Sequence, residues 1–212
     1  INDGSSDNTE KIILDFVKNN KNLSTKYFKQ KNKGLANARN KGVELAKFDW
    51  IAILDHDDFF STNRLEIQIN NIINNSNCHL FFGNHFYLFE KTNSLIKRFS
   101  VIRKKDGFDP CKLNLNKKFA YNNLIRYGCF ISSSTVVFKK NSCLAVGGFD
   151  ENYKFLADYI FFLEMSIKYN FYCSDDILCT GSMHDQSATE VMKSAYLSEM
   201  NTLYLSLYKL KN

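Results

Sequence analysis

The sequence lacks several features that mark common functional classes. It contains one proline and one tryptophan, and no apolar run is long enough to cross a bilayer, so no transmembrane helix is predicted. No Gly-x-Gly-x-x-Gly follows a predicted strand, which argues against a nicotinamide-binding domain. The absence of any Cys-x-x-Cys pair argues against a zinc site or a disulfide framework. The cysteines lie mostly in apolar runs and indicate reduced core residues of a cytosolic protein, at positions 78, 111, 129, 143, 173 and 179.

Apolar and aromatic side chains, in contrast, are plentiful. Of the 212 residues, 44% are hydrophobic and 15% are aromatic, which is enough for a sizeable core. The formal net charge is +6, but the lysines are scattered, which favours a solubilising surface over a nucleic-acid interface and leaves contact with anionic lipid open. We predict one domain over residues 1–188 and a C-terminal helical extension over 189–212.

Hydrophobic periodicity predicts an α/β fold. Helices and strands alternate in the first half of the chain, which predicts a mostly parallel sheet flanked by helices. The second half predicts a smaller antiparallel part with a hairpin through 91–94 and a loop over 103–116. Predicted helices cover about 9–19, 35–46, a segment after Asn63 with an apolar stripe, 156–169 and 189–211. Predicted strands cover 26–29, 49–54, 79–89, 95–102, 131–138 and 171–178.

An acidic cluster follows the apolar run that begins at Trp50. Asp55, Asp57 and Asp58 stand where a buried strand would end, and ligands of open α/β sheets bind at strand carboxyl ends. Mn²⁺ and Mg²⁺ prefer oxygen ligands and leave positions open for substrate phosphates, so the cluster predicts a divalent metal site. The alternative is a solvated turn that caps the next helix.

Two other polar segments carry candidate ligand-binding residues. In Asn2-Asp3-Gly4-Ser5-Ser6-Asp7-Asn8-Thr9, Gly4 permits a tight turn and Asp3 can accept hydrogen bonds from a ligand, although a plain Asx turn fits equally. In the segment 32–42, small residues favour close helix packing, and Arg39 can reach a nucleotide or pair with a nearby acid.

Together these segments resemble family 2 glycosyltransferases with the GT-A fold. The resemblance rests on Asn2–Thr9, on Asn32-Lys33-Gly34 with Ala38-Arg39-Asn40, and on Leu54-Asp55-His56-Asp57-Asp58. It continues in Gly147-Gly148-Phe149-Asp150-Glu151 and Asp158-Tyr159, and covers about the first 180 residues. It implies a Rossmann-like α/β fold of GT-A type, and transfer of a sugar from a nucleotide diphosphate-sugar to an acceptor hydroxyl.

The resemblance also implies residue roles. Asp3 would contact the nucleotide base, Arg39 would hold the nucleotide, and Asp55 would hold ribose or metal. Asp57 would hold the metal, Mn²⁺ or Mg²⁺, that bridges the diphosphate, and Asp158 would be the general base for the acceptor hydroxyl. The family usually has Glu before that Asp, and here Ala157 replaces it. His184 lies where members often place a histidine near the diphosphate, so we expect it as a further metal ligand. For Asp158 the alternative is a helix N-cap.

Departures from the family pattern limit the expected activity. The Gln-x-x-Arg-Trp signature of processive synthases is absent, so we expect single additions to a glycan or lipid-linked acceptor in surface glycan synthesis. The opening strand and helix of the family are missing, so we expect an N-terminally truncated chain. We expect a cytoplasmic location, with peripheral contact at the inner face of the membrane left open. Alternatives are an inactive nucleotide-sugar-binding module and a nucleotidyltransferase, although no glycine-rich phosphate loop favours the latter.

Overall fold

A mixed sheet forms the centre of the computed structural model, which describes residues 1–112, 117–183 and 193–209. In these residues the strand order is β1-β5-β3-β6-β2, with β4 paired to β3 beside this path. The strands are β1 (Trp50–Ala52), β2 (Asp58–Phe60), β3 (Cys78–Phe89), β4 (Ser94–Lys97), β5 (Val137–Lys139) and β6 (Asn170–Met183). Strands β3 and β6 run parallel, whereas β1–β5, β3–β5, β3–β4 and β2–β6 are antiparallel.

Helices flank this sheet and supply much of the core. They are α1 (Thr9–Asn19), α2 (Leu35–Leu45), α3 (Arg64–Asn74), α4 (Arg98–Asp106), α5 (Lys117–Tyr127), α6 (Lys140–Ala145), α7 (Ala157–Lys168) and α8 (Lys193–Lys209). Short 3₁₀ turns cover Pro110–Lys112 and Ser133–Thr135. Helix α7 is the most deeply buried, because Phe161, Phe162 and Met165 are fully enclosed against the sheet. None of the helices in the described residues has both the length and the apolar character to cross a bilayer.

The α/β class and most element positions agree with the sequence predictions, but the parallel part is smaller than expected. In the part of the chain that the structure describes, parallel pairing is confined to the long β3–β6 ladder and an isolated bridge between Asn2 and Lys29. The reason is that β5, which separates β1 from β3, runs antiparallel to both. The predicted strand over 26–29 is reduced to the isolated bridge.

Two predicted strands are shortened by side-chain contacts from distant residues. The hairpin through 91–94 is confirmed, but residues 98–102 are helical, because the backbone N–H of Phe99 donates to Asn84 Oδ1 at 3.0 Å and the Phe99 ring is buried. The predicted strand over 131–138 begins only at Val137, since the chain before it forms a 3₁₀ turn. The Arg64 guanidinium binds the carbonyls of Ser134 and Val136 and thereby holds this turn.

The apolar stripe predicted for α3 faces outward instead of into the core. Of the predicted stripe, Leu65, Ile69 and Ile73 are exposed and Ile72 alone packs, half-buried, against the small cluster of Cys78, Phe81 and Val137, while Arg64 and Gln68 are buried. Arg64 and Gln68 are turned inward because their side chains donate to the backbone carbonyls of Ser134, Thr135 and Val136, of which Val136 also accepts from the Ile53 N–H at 3.3 Å.

Helix α8 is fastened to the segment that precedes α7. The Glu199 carboxylate accepts the backbone N–H groups of Lys154, Phe155 and Leu156 at 2.9–3.1 Å, next to the first turn of α7. Leu203 of α8 is buried in the main core cluster. The C-terminal helix therefore helps to position the start of α7, where Asp158 lies.

Candidate functional site

The three acids after β1 occupy a tight turn that leads into β2. The Asp55 N–H donates to Ser134 Oγ at 2.9 Å, and the Asp58 N–H donates to the Asp55 carbonyl at 3.2 Å. Burial raises the pKa of the Asp58 carboxyl; a hydrogen bond from Ser134 lowers it, and the charges of Asp55 and Asp57 raise it again. Such crowding of carboxylates favours a bound cation or a proton.

Asp58, which the sequence predicted only as a member of the acidic cluster, is held against the neighbouring strand. It lies opposite Gly181 in the β2–β6 ladder, and a Cβ on Gly181 would lie 2.8 Å from Asp58 Oδ1. Cys179 Sγ is 3.8 Å from Asp58 Oδ2. Glycine at position 181 therefore leaves the space that the Asp58 carboxylate fills, and this requirement becomes visible only once β2 and β6 are paired.

Arg39 joins two of the predicted site residues that are far apart in sequence. Its Nη2 donates to Asp55 Oδ1 at 2.7 Å, and its Nη1 contacts Asp158 Oδ1. The Arg39 side chain is only 7% exposed, and its guanidinium carbon lies 5.5 Å from the centre of the Phe149 ring. Ser133 Oγ donates to the other oxygen of Asp158. Through Arg39, helix α2 thus holds Asp55, which follows β1, and Asp158, in the first turn of α7, on either side of one guanidinium group.

A second contact ties α2 to the glycine pair before α7. Asn40 Oδ1 accepts the Phe149 N–H at 2.8 Å, and Asn40 Nδ2 donates to the Phe149 carbonyl and to Glu151. A Cβ on Gly148 would lie 2.6 Å from Asn40 Oδ1, and Gly148 has a φ of 75°. Only glycine allows this close approach, so the Gly147–Glu151 segment and α2 form one support for Arg39.

Asp3 is engaged with the backbone that starts α2. Its Oδ1 accepts from Lys33 N–H at 2.9 Å and from Gln30 Nε2 at 2.7 Å, and its Oδ2 accepts from Gly34 N–H at 2.8 Å. Gly34 has a φ of 91°, the left-handed region that favours glycine. Asp3 therefore orders the turn beside Arg39, and its contact with a nucleotide base stays a prediction.

Two cavities meet at Asp55. The larger, of about 720 Å³, is lined by Asp3, Arg39 and Asp55 and by the apolar side chains of Ile13, Val43, Ile51, Ile53 and Phe138. The smaller, of about 250 Å³, is lined by Asp55, Asp58 and Asp158 and, in a different part of its wall, by His85 and Arg98. The predicted residues Asp3, Arg39, Asp55 and Asp158 therefore line two cavities that share Asp55, and Arg39 contacts both Asp55 and Asp158.

The predicted metal ligands are only partly assembled. Asp57 lies in the same turn as Asp58 but lines neither cavity. His184 lies outside the residues that the structure describes. Within residues 1–112, 117–183 and 193–209, no group of three or more His, Cys, Asp or Glu side chains is arranged to hold a metal ion. One or two carboxylates completed by substrate phosphates are nevertheless a common way to bind Mg²⁺, and the acidic turn fits that pattern.

Several residues that shape the cleft were not predicted. Arg64 is fully buried and supports Ser134, and through it Asp55. His85 and Arg98 line the smaller cavity from β3 and the start of α4. In the sequence, Arg64 is a charged residue beside the apolar stripe of α3, and His85 is a polar residue within an apolar strand. Neither pattern specifies which residue the side chain contacts.

Comparisons with known proteins give one consistent result. A family model described as glycosyl transferase family 2 matches residues 1–140. An uncharacterized glycosyltransferase of Rickettsia typhi is 27% identical over 211 residues, which cover 99% of this chain and 61% of that protein. A UDP-Glc:alpha-D-GlcNAc-diphosphoundecaprenol beta-1,3-glucosyltransferase of Escherichia coli is 33% identical over 135 residues, which cover 64% of this chain and 45% of that protein.

A solved structure shows the same fold. Staphylococcus aureus TarS 1–349 in complex with UDP superposes with a TM-score of 0.61 at 16% identity, covering 92% of this chain and 53% of that one. This similarity establishes a mixed α/β fold of the GT-A type. The chain spans less than two thirds of each of these three proteins.

Proposed function

Because the chain belongs to glycosyl transferase family 2, we propose that it transfers single sugars from a nucleotide diphosphate-sugar to an acceptor hydroxyl, with inversion at the anomeric carbon. The observation that carries this proposal is the position of Arg39, which holds Asp55 and Asp158 together where the two cavities meet. One cavity is then available for the donor and the other for the acceptor.

The larger cavity suits the nucleotide. Its apolar wall can cover a base, while Arg39 and Asp55 offer a cation and a hydrogen-bond acceptor for phosphate and ribose. Asp3 keeps the adjacent turn in place and is our candidate for contact with the base. The UDP in the TarS complex and the UDP-Glc in the name of the E. coli relative support a uridine nucleotide as the first donor to test.

A divalent metal, Mn²⁺ or Mg²⁺, fits the acidic turn, and Asp57, Asp55 and Asp58 are the residues that would hold it. Within the described residues Asp55 pairs with Arg39, whereas no ion pair neutralises Asp57 or Asp58, so the turn carries more negative charge than Arg39 can balance, and this supports the assignment. When bound, such a metal would offset the charge that develops on the departing diphosphate.

Asp158 is our candidate for the general base. The acceptor oxygen forms a bond to the anomeric carbon as the bond from that carbon to the diphosphate oxygen breaks, and the electron pair leaves with the nucleoside diphosphate. The hydroxyl proton passes to a carboxylate oxygen of Asp158. Arg39 and Ser133, which both contact this carboxylate, fix its orientation at the wall of the smaller cavity.

The biological setting that we propose is surface glycan synthesis at the cytoplasmic side of the cell membrane. The acceptor named for the E. coli relative is a sugar carried on diphosphoundecaprenol, which supports a glycan or lipid-linked glycan acceptor here and peripheral contact with the membrane. The sequence lacks the Gln-x-x-Arg-Trp signature, which supports single additions.

The proposal is tested by calorimetric titration of the chain with UDP, with and without Mn²⁺. We expect Mn²⁺ to tighten UDP binding and Asp57→Asn to abolish that tightening, whereas Asp176→Asn, an exposed control, leaves it intact. UDP binding that is the same with and without Mn²⁺ in the wild type would contradict the metal assignment.

Turnover is tested separately with UDP-sugars and a panel of acceptors. Release of UDP that depends on acceptor, and that falls at least a hundredfold in Asp158→Asn, supports transfer with Asp158 as base. UDP binding without any release would identify a binding module, and formation of UTP and sugar 1-phosphate from a UDP-sugar and added pyrophosphate would indicate nucleotidyl transfer.

A further inference from the structure

The smaller cavity has a basic end that the proposed chemistry does not use. Arg98, the first residue of α4, lines it. Its Nη2 donates to the Cys129 carbonyl at 2.9 Å and its Nη1 contacts the Tyr87 hydroxyl, but its Nε is buried without a hydrogen-bond partner. Within the described residues, no Asp or Glu forms an ion pair with Arg98. A buried guanidinium in this state lacks a counter-charge.

His85 lies beside this guanidinium and is also incompletely satisfied. It is 3% exposed, its Nδ1 has no hydrogen-bond partner, and its ring packs edge-on against Tyr87 with centres 4.5 Å apart. Burial and, next, the charge of Arg98 lower the pKa of His85 to about 3, so the imidazole is neutral at physiological pH. Two buried side chains with unused polar atoms thus line the wall of one cavity.

The strand register places this basic end away from the acids. Asp58 lies opposite Gly181, and Gly181 lies opposite Tyr87, so Tyr87 is two strands from Asp58. At about 4.8 Å per strand, the backbones of these residues are roughly 10 Å apart. Asp58 and Tyr87, which contacts Arg98, thus both line this cavity from strands that are two apart, a separation comparable to one sugar ring with its substituent.

We infer that the Arg98 end of the smaller cavity binds a phosphate group of the acceptor, next to the sugar that presents its hydroxyl to Asp158. This inference rests on the proposed function and assigns the acceptor a chemical class. An anion is repelled by Asp58 and Asp158 and attracted by Arg98, so the acceptor enters in one orientation.

The donor arrangement favours a phosphate over a carboxylate. A carboxylate offers two oxygens in one plane, whereas Arg98 uses one N–H of each Nη on Cys129 and Tyr87 and keeps the second N–H of each as well as Nε–H. The cavity therefore offers these Arg98 N–H groups together with the single ring N–H of neutral His85 and the hydroxyl of Tyr196, which lines the same cavity from α8. Single donors from different elements suit the several oxygens of a phosphate.

The site is tested with methyl phosphate, which needs no knowledge of the acceptor sugar. The wild-type chain, with histidine rings isotopically labelled, is titrated in the presence of saturating UDP and Mn²⁺, and the His85 ring signals are followed by NMR after assignment with His85→Gln. We expect a saturable shift with methyl phosphate and at least a tenfold weaker response with acetate.

Variants and larger probes then locate the binding group and its source. Arg98→Met should weaken methyl phosphate binding at least tenfold, while Arg126→Met, an exposed arginine on α5, should not. A sugar linked to farnesyl diphosphate and a sugar methyl phosphodiester distinguish a lipid-linked acceptor from a phosphodiester polymer by which one binds more tightly.

Three results would overturn the inference. They are an unchanged His85 signal in the wild type with UDP bound, an equal response to acetate, and binding of methyl phosphate to a folded Arg98→Met variant as tightly as to the wild type. The wild-type titration alone decides the matter if Arg98→Met fails to fold. UDP binding in the same samples separates the two proposals: UDP bound without phosphate refutes only the acceptor site, whereas failure to bind UDP refutes the proposed function.

Discussion

Replacing Gly181 with alanine tests whether the Asp58 carboxylate occupies the place described for it. The added Cβ would lie 2.8 Å from Asp58 Oδ1 and 3.6 Å from its Cγ, so the side chain must shift. Overpacking of this kind costs about 1–3 kcal/mol. Alanine is otherwise better than glycine within a strand by about 0.5–1 kcal/mol. We therefore expect a net loss of about 1–2 kcal/mol, or about 5 °C in Tm for a chain of this size.

The sign of the effect should reverse when Asp58 is truncated. In an Asp58→Ala background the new methyl group meets no carboxylate, and Gly181→Ala should then stabilise the protein by about 0.5–1 kcal/mol. Both backgrounds are compared by urea unfolding followed by circular dichroism. The same change in unfolding free energy in both would refute the contact. In the single variant we also expect weaker Mn²⁺-dependent UDP binding.

Three other changes probe the support of the cleft. The pKa of His85 is lowered to about 3 in the folded chain, so below pH 6.5 the unfolded chain binds a proton at this residue and the folded chain does not. The contribution of His85 to the free energy of unfolding is therefore complete above pH 6.5 and falls as the pH is lowered. From pH 6.5 to 5 this contribution should fall by at most about 2 kcal/mol, and pH-dependent urea unfolding of His85→Gln should lack the fall. Arg64→Met leaves the Ser134 carbonyl without this donor and the Val136 carbonyl with only the Ile53 N–H, and it should cost about 1–3 kcal/mol in the same assay, whereas an unchanged midpoint would show that other groups satisfy the Ser134 carbonyl. Glu199→Ala removes the acceptor for three N–H groups before α7 and should cost about 1–2 kcal/mol, and it should lower turnover more than UDP binding because it loosens the start of the helix that bears Asp158.

Much of the cleft could be predicted because its signals are local. The apolar run before Asp55 and the acids after it are adjacent in sequence, and the helical periodicity of 9–19, 35–45 and 157–168 depends on residues within a few turns. The meeting of Arg39 with Asp55 could be anticipated only from the order of motifs that the chain shares with its family, since periodicity carries no distance between them.

The predictions failed where a distant side chain decided the outcome. Residues 98–102 have an alternation that fits a strand, yet Asn84 accepts the Phe99 N–H and the chain turns into α4. Helix α3 has an apolar stripe, yet Arg64 and Gln68 face inward because carbonyls of the 134–136 segment need donors. In both cases a buried polar group had to be satisfied, and this requirement outweighed the local pattern.

The amino-acid sequence by itself determined the α/β class, the acidic turn after β1 and the identity of the charged residues around the cleft. Only the tertiary structure decided that Asp58 fills the space left by Gly181, that Arg39 holds Asp55 beside Asp158, and that Arg98 meets His85. Local patterns reflect interactions within a strand or a few helical turns. The pairing of β2, β3 and β6, in contrast, brings together residues more than 90 positions apart, and electrostatic interactions depend on that spatial distance rather than on sequence separation.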